Sequence, residues 1–369
     1  MTRRLADLAD RGVIVVDPRQ TWVSDDVDLE RICPGAVLHP GTRLTGPRTL
    51  VAPGAQVGVE GPATLVDAVL APGAQVDGGY VNGAVLLDRA RAGFGAHLRP
   101  GTLLEEEAST AHAVGLKHTI LLAFVTLGSL INFCDVLMAG GTSRKDHSEV
   151  GSGFIHFNYT PWGRHGDKAT PSLVGDVTRG VLLRSARIFL GGAGGLVGPA
   201  TVGYGAITGA GQVVRRDVPA QRLVLEPAPS LDVELHPGRL DAASRRRDQN
   251  VAYIGQLVAL RAWYREIRLH RVPASSGEQD AAWVHRAVLL AAIDTLDLCI
   301  EERVARLESF LRERGETMAL RRGDEPPCPL QVEPANDCAD HLDWVRALSE
   351  GDVERLRAWL EAVAQSVAG

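Results

Sequence analysis

One stretch constrains this 369-residue chain more than any other: Leu196-Val-Gly-Pro-Ala-Thr-Val202-Gly-Tyr-Gly-Ala206-Ile-Thr208-Gly-Ala210-Gly-Gln-Val-Val214. Positions 196, 202, 208 and 214 stand six apart, and all but Thr208 are apolar. A step of six is neither the period of about 3.6 of a helix nor the plain alternation of a strand. It is the step of a hexapeptide-repeat solenoid, in which each sixth residue points at the axis and short strands wind into a β-helix. Gly203 and Gly209 follow two of the inward positions, where the chain must turn at backbone angles that other residues reach only with strain.

The same unit recurs earlier in a stricter form: apolar residue, any residue, Pro, Gly, then Ala or Thr. The copies are Ile32-Cys-Pro34-Gly35-Ala36, Leu38-His-Pro40-Gly41-Thr42, Val51-Ala-Pro53-Gly54-Ala55, Leu70-Ala-Pro72-Gly73-Ala74 and Leu98-Arg-Pro100-Gly101-Thr102. Proline presets one turn dihedral and glycine supplies the other. The small residue that follows fits inside the corner. A β-sandwich with proline-glycine turns is the alternative, but it needs no strict step of six. The expected fold is therefore an all-β left-handed parallel β-helix with a C-terminal α-helical domain.

The chain divides into a lead-in (1–30), the solenoid (31–220), a linker (221–240) and the helical part (241–369). At about eighteen residues per three-sided coil the solenoid makes roughly ten coils. Glu105-Glu106-Glu107 and the apolar run Thr119–Val125 interrupt the ladder. Gly140–Glu149 and Asn158–Lys168 read as projecting loops, the places where a rigid scaffold carries chemistry. Beyond residue 241 glycine thins out. Ile254, Leu257, Leu260, Tyr264 and Ile267, then Leu289, Ile293, Leu296, Ile300, Val304, Leu307 and Leu311, each mark one apolar helix face. Gly315 is placed to stop the second helix, and Leu342–Val363 suggests a third, broken at Gly351. These helices are expected to cap the solenoid end or pack on neighbours, because an open end exposes unpaired strand edges.

A formal charge of −6 gives no sign of a nucleic-acid partner. Aromatic residues are only 5% of the chain, as suits a narrow interior. The five cysteines are scattered without a CxxC pair and read as reduced thiols. No long apolar run or signal-peptide core is present, so a soluble cytoplasmic protein without a membrane partner is expected. No tight histidine pair points to a metal.

Gly12–Val27, Phe94-Gly-Ala-His-Leu-Arg99-Pro-Gly-Thr, Phe157-Asn158-Tyr159 and residues 196–218 together resemble one half of a bifunctional bacterial enzyme. That half is the left-handed β-helix of glucosamine-1-phosphate acetyltransferase/N-acetylglucosamine-1-phosphate uridyltransferase. The resemblance covers roughly residues 8–225. No glycine-rich nucleotide loop of that family precedes residue 12, so pyrophosphorylase activity is not expected, and the helical part has no counterpart. The resemblance implies a homotrimer that transfers an acyl group from acetyl-coenzyme A, or another acyl-coenzyme A, to a phosphorylated or nucleotide-linked amino sugar of the UDP-N-acetylglucosamine kind.

By that resemblance Arg99 and Lys117 hold the sugar phosphate. A guanidinium fork and an ammonium suit that task. Asn158 and Tyr159 touch sugar and cofactor, and the next lysine falls on Lys168, at a longer spacing than the family's. Asp135 matches the family's aspartate. Ser129 stands where the catalytic histidine belongs, and a serine accepts no proton near neutral pH without help. His118, His147 and His156 are the candidates for a relocated base, with Glu149 behind them. Gly192, Gly194, Gly195 and Ala210 line the implied coenzyme groove, where a glycine run lets an extended ligand approach the backbone. Arg215 and Arg216 are placed to meet its phosphates. The alternative reading, supported by Ser129 and the helical tail, is a non-catalytic sugar-nucleotide-binding or scaffold protein.

Overall fold

The computed structural model describes residues 3–158, 170–225, 243–275, 277, 279–320, 325–335 and 341–367. A short helix, α1 (Arg3–Asp10), leads into a parallel β-solenoid. One face is an eleven-stranded parallel sheet that runs from Ile14–Val15 to Leu223–Val224, one strand from each coil. The other two faces belong to one sixteen-stranded sheet that bends at the corner between them. The solenoid thus begins inside the expected lead-in. Parallel pairing sets each inward residue on its counterpart one coil below, as in Val15↔Leu38 and Leu38↔Val57. Leu196, Val202, Thr208 and Val214 are all buried. Thr208 is tolerated there because its hydroxyl accepts the Gly191 N–H at 3.1 Å.

The five Pro-Gly copies all sit at corners, and the residue after each is buried: Ala36, Thr42, Ala55, Ala74 and Thr102. Corners without glycine keep the same backbone. Between the eleven-stranded face and the next, the left-handed residues include Gly41, Gly95, Ala113, Leu130, Gly153, Ala193 and Gly211. At the following corner they are Gly46, Asp67, Gly83, Gly101, His118 and Asp135. Glu105-Glu106-Glu107 does not break the ladder. It fills the third corner, with Glu107 at φ +57 above Arg89 and Gly73. Gly140–Glu149 projects as an antiparallel hairpin, Gly141–Ser143 with Asp146–His147.

Among the described residues six further helices follow in chain order. A short one, α2 (Val177–Gly180), lies within the solenoid. Next, α3 (Ala243–Ala262) continues through a π-helical turn, Trp263–Arg268, into α4 (Leu269–Arg271). After it come α5 (Ala281–Arg312), α6 (His341–Ala347) and α7 (Glu350–Ser366). The break before α7 lies at Ser349, whose hydroxyl caps the Asp352 N–H, and Gly351 is inside the helix. None of the described helices is long and apolar enough to cross a membrane.

The helices lie along one face. Strands there are apolar on both sides: Leu70, Leu86, Leu104 and Leu121 face the axis, while Val69, Val85, Leu103 and Ile120 alternate with them outward and are also buried. A strand apolar on both faces needs cover on both, and α5 supplies it over the strands at 69–70, 84–86 and 102–104. One turn of α5 advances about 5.4 Å and one coil about 4.8 Å. Successive turns of the helix therefore meet successive coils. Farther along, Tyr264 donates to Glu105 at 2.8 Å, and the Arg268 guanidinium pairs with Glu106. Burial against a second carboxylate pushes Glu105 up to about 7 despite Arg268 beside it.

Glycines at corners separate two costs. At Gly211 (φ +73) an added Cβ meets nothing within 4 Å, whereas at Gly101 (φ +79) it runs into the His118 ring and lies 3.0 Å from Cys299 Sγ. Gly211→Ala is expected to lose about 1–2 kcal/mol, the cost of the left-handed backbone alone. Gly101→Ala is expected to lose roughly 1–3 kcal/mol more, because it overpacks the α5 contact. Urea unfolding checks both, and equal losses would mean that α5 does not press on this corner.

Candidate functional site

Arg99 directly follows the strand Ala96–Leu98. The pairing Leu98↔Leu116 puts it beside Lys117, and Lys117 pairs in turn with Cys134. The Arg99 guanidinium reaches across the intervening coil to Cys134 Sγ at 3.4 Å. Both cations are half-buried, and neither has an ion-pair partner among the described residues. The sequence pattern gives the one-coil spacing of Arg99 and Lys117. It does not reveal the Cys134 thiol, which burial pushes above its ordinary range although Arg99 pulls it down.

One residue farther on, each strand turns the corner at His118 and Asp135, and here α5 closes over the chain. Asp135 is buried and accepts from Asn158 Nδ2 at 2.7 Å. The buried Arg303 guanidinium pairs with it, and Arg306 lies 3.9 Å away. Burial pushes the Asp135 carboxyl up, but Arg303, Asn158 and Arg306 together outweigh this and hold it below the usual carboxylate range. Asn158 is thus fixed through Asp135 to the helical part of the chain, a link that sequence spacing alone does not suggest.

The three candidate histidines lie apart. His118 Nε2 is 3.7 Å from Glu302, and its Nδ1 is 3.8 Å from Cys299 Sγ, beneath α5; burial lowers its basicity. His156 points into the solenoid, with Nδ1 on the Cys134 carbonyl at 2.7 Å and Nε2 on Ser172 Oγ at 2.8 Å. Burial drives it down to about 4. His147 sits on the hairpin, donating from Nδ1 to the Arg144 carbonyl at 2.9 Å, with Glu149 4.0 Å from its other nitrogen. Beside it a cavity of about 540 Å³ opens toward Arg187 and Phe189.

Ser129 is hydrogen-bonded to a fourth histidine. Its Oγ lies 2.8 Å from His112 Nδ1, at the same corner one coil below, and its N–H donates to Ser152 Oγ at 3.0 Å on the coil above. His112 is exposed. Seventeen residues, one coil, separate His112 from Ser129, so coil length was the signal that would have paired them.

Glycines of the implied coenzyme groove are required by coil stacking. A Cβ at Gly192 would lie 2.6 Å from the Ser152 carbonyl oxygen, one at Gly194 would lie 2.7 Å from that of Gln212, and one at Gly195 would meet Ile155 and the Phe157 ring at 3.0 Å. Ala210 and Arg215 are exposed near the last coils. Arg215 turns back to the Val213 carbonyl at 3.0 Å. Tyr159 and Lys168 lie outside the described residues. Among the described residues no cluster of His, Cys, Asp or Glu could hold a metal ion.

The Arg303–Asp135 contact gives a test. Replacing Arg303 by Met leaves a buried carboxylate short of its main partner, which typically costs about 3–5 kcal/mol. The native pair contributes stability above the unfolded carboxylate range and loses it as pH falls through the lowered value. In the variant the carboxyl shifts upward, so stability is expected to recover as pH falls from 7 toward 5. Urea unfolding at the two pH values measures this; a variant within about 1 kcal/mol of wild type at pH 7 rules the contact out as a major support.

No profile of a protein family matches the chain. Among curated proteins it is 33% identical over 246 residues to the bifunctional protein GlmU of Kineococcus radiotolerans, covering 65% of this chain and 45% of that one. To GlmU of Mycobacterium tuberculosis it is 32% identical over 250 residues, covering 65% and 44%. The chain thus spans less than half the length of these relatives. Among solved structures it overlays LpxA from Acinetobacter baumannii at 13% identity with a TM-score of 0.18, covering 66% of this chain and 82% of that one. Over about 65% of its residues the chain is thus similar to the bifunctional GlmU proteins, and that part is folded as a β-solenoid.

Proposed function

We propose that the chain is an acyl-coenzyme A-dependent acyltransferase acting on the amino group of a phosphorylated or nucleotide-linked sugar. The observation that carries this reading is the Arg99–Lys117 pair, two adjacent cations with no ion-pair partner among the described residues, on the solenoid face whose entry corner holds Ser129 and His112. Arg99 and Lys117 bind the phosphate, and Asn158, held by Asp135, orients the sugar. The GlmU relationship supports this choice of chemistry.

His118, His147 and His156 are each engaged elsewhere, so His112 is assigned as the proton acceptor, acting directly or through the Ser129 hydroxyl. The amine loses its proton toward this pair as it attacks the thioester carbonyl, and the coenzyme thiolate leaves. Positioning of the amine against the thioester supplies most of the acceleration. Gly192, Gly194 and Gly195 leave a backbone floor without side chains for the coenzyme, with Ala210 beside it and Arg215 near its phosphates. The site is read as shared between copies of a homotrimer, in which Tyr159 and Lys168 complete the sugar contacts.

The test is thiol release from acetyl-coenzyme A by the full chain, with glucosamine 1-phosphate and UDP-linked amino sugars offered as acceptors. Turnover is expected. Arg99→Ala should raise KM for the acceptor about tenfold or more, the worth of one charge-assisted bond. His112→Ala should lower kcat by about a hundredfold or more with KM little changed. Acetyl-coenzyme A binding without turnover of any acceptor would replace this reading with a non-catalytic sugar-nucleotide-binding or scaffold role. Ser129 at the histidine position favours that second reading.

A further inference from the structure

A second concave site lies round the corner from Arg99 and Lys117, where the first turns of α5 cross the early coils. It is a cavity of about 380 Å³ between the corner at Asp67 and the helix, within the range of small-molecule pockets. Three guanidinium groups line it: Arg31 and Arg48 from the solenoid and Arg286 from α5. None of the three is in an ion pair among the described residues. Arg31 is spent on the Arg48 carbonyl at 3.1 Å, and its Nε is buried without a partner. Burial disfavours the cation on Arg31, Asp28 offsets part of this, and the neighbouring Arg48 charge adds a smaller repulsion. An anion in the cavity would relieve that repulsion.

Two carboxylates and an indole complete the wall. Asp67 is held in place by the Arg48 N–H at 3.0 Å, and Asp294 stands on the next turns of α5 with no partner among the described residues. Trp283 is half-buried at one end, and Val69 and Val85 form an apolar floor. Cations for a phosphate, carboxylates that accept from hydroxyls and an aromatic surface for a planar ring are three separate demands. One small-molecule class meets them together.

We propose that this cavity is a binding site for a nucleoside monophosphate, separate from the acyl-transfer site. Arg48 and Arg286 take the phosphate, Asp67 and Asp294 accept the ribose hydroxyls, and Trp283 packs on the base. Since α5 forms half of the wall, the ligand bridges the solenoid and the helical part of the chain, and its binding stabilises their contact.

Calorimetry on the full chain tests this with uridine and adenosine 5′-monophosphates, ribose 5-phosphate, uridine and inorganic phosphate. At least one nucleotide is expected to bind in the micromolar range. Ribose 5-phosphate and uridine, each short of one of the three contacts, and phosphate, short of two, should each bind about tenfold more weakly or worse. The double variant Arg48→Ala/Arg286→Ala, altered at two exposed positions, should lose at least about tenfold in affinity. Arg99→Ala should bind unchanged, which separates this site from the acyl-transfer site whether or not the chain proves to be a transferase. The proposal is overturned if neither nucleotide gives heat at millimolar concentration, if phosphate alone binds as tightly, if the double variant binds like wild type, or if binding disappears in Arg99→Ala.

Discussion

A strand in a parallel ladder is held only where the strand beneath it keeps register, and a triangular coil keeps register only if its corners turn at the same place each time. Here that condition is met by columns of left-handed residues stacked coil upon coil. Glycine meets it at no cost, while His118, Asp135, Leu130 and Phe124 meet it at a cost that the pairing on either side must outweigh. The arrangement also brings side chains together. Equivalent positions in consecutive coils become neighbours whatever their separation in sequence. Arg99, Lys117 and Cys134 meet for this reason, and so do His112 and Ser129.

Charges buried where the helices meet the solenoid follow from the same geometry. A left-handed corner projects its side chain outward, so a carboxylate at Asp135 meets the covering helix and draws its cationic partners from there, with Asn158 as its neutral donor. Arg303 on α5 pairs with it, as Arg268 does with Glu106. Such pairs add little net stability, because desolvation offsets most of the attraction, but a misplaced helix would strand them. They therefore define which turn of the helix sits on which coil.

The sequence made the solenoid legible because its signal repeats. Each Pro-Gly corner states the same geometry, and the copies reinforce one another. Three things were not legible. Non-glycine corners such as Glu106-Glu107 look like interruptions, since nothing local marks a glutamate for positive φ. The covered face was hidden because Val69, Val85 and Leu103 stand next to the inward Leu70, Leu86 and Leu104, so both rows read as one apolar run. The Ser129–His112 pair needed the length of one particular coil, and coil length varies along the chain. The adjacency of Arg99 and Lys117, by contrast, was legible because Arg99 belongs to a Pro-Gly copy and Lys117 follows one coil later.

Coils that touch only their neighbours tend to fray from an end, each peeling without consulting those far away. The 32-residue α5 alters that. Near its start Gln279 donates to the Glu30 carbonyl at 2.7 Å, and some six turns later Arg303 holds Asp135. Between these points the helix acts as a splint along the prism, so early coils cannot loosen without dragging on later ones. A stack whose parts would melt in sequence is thereby bound into a single block that lets go all at once.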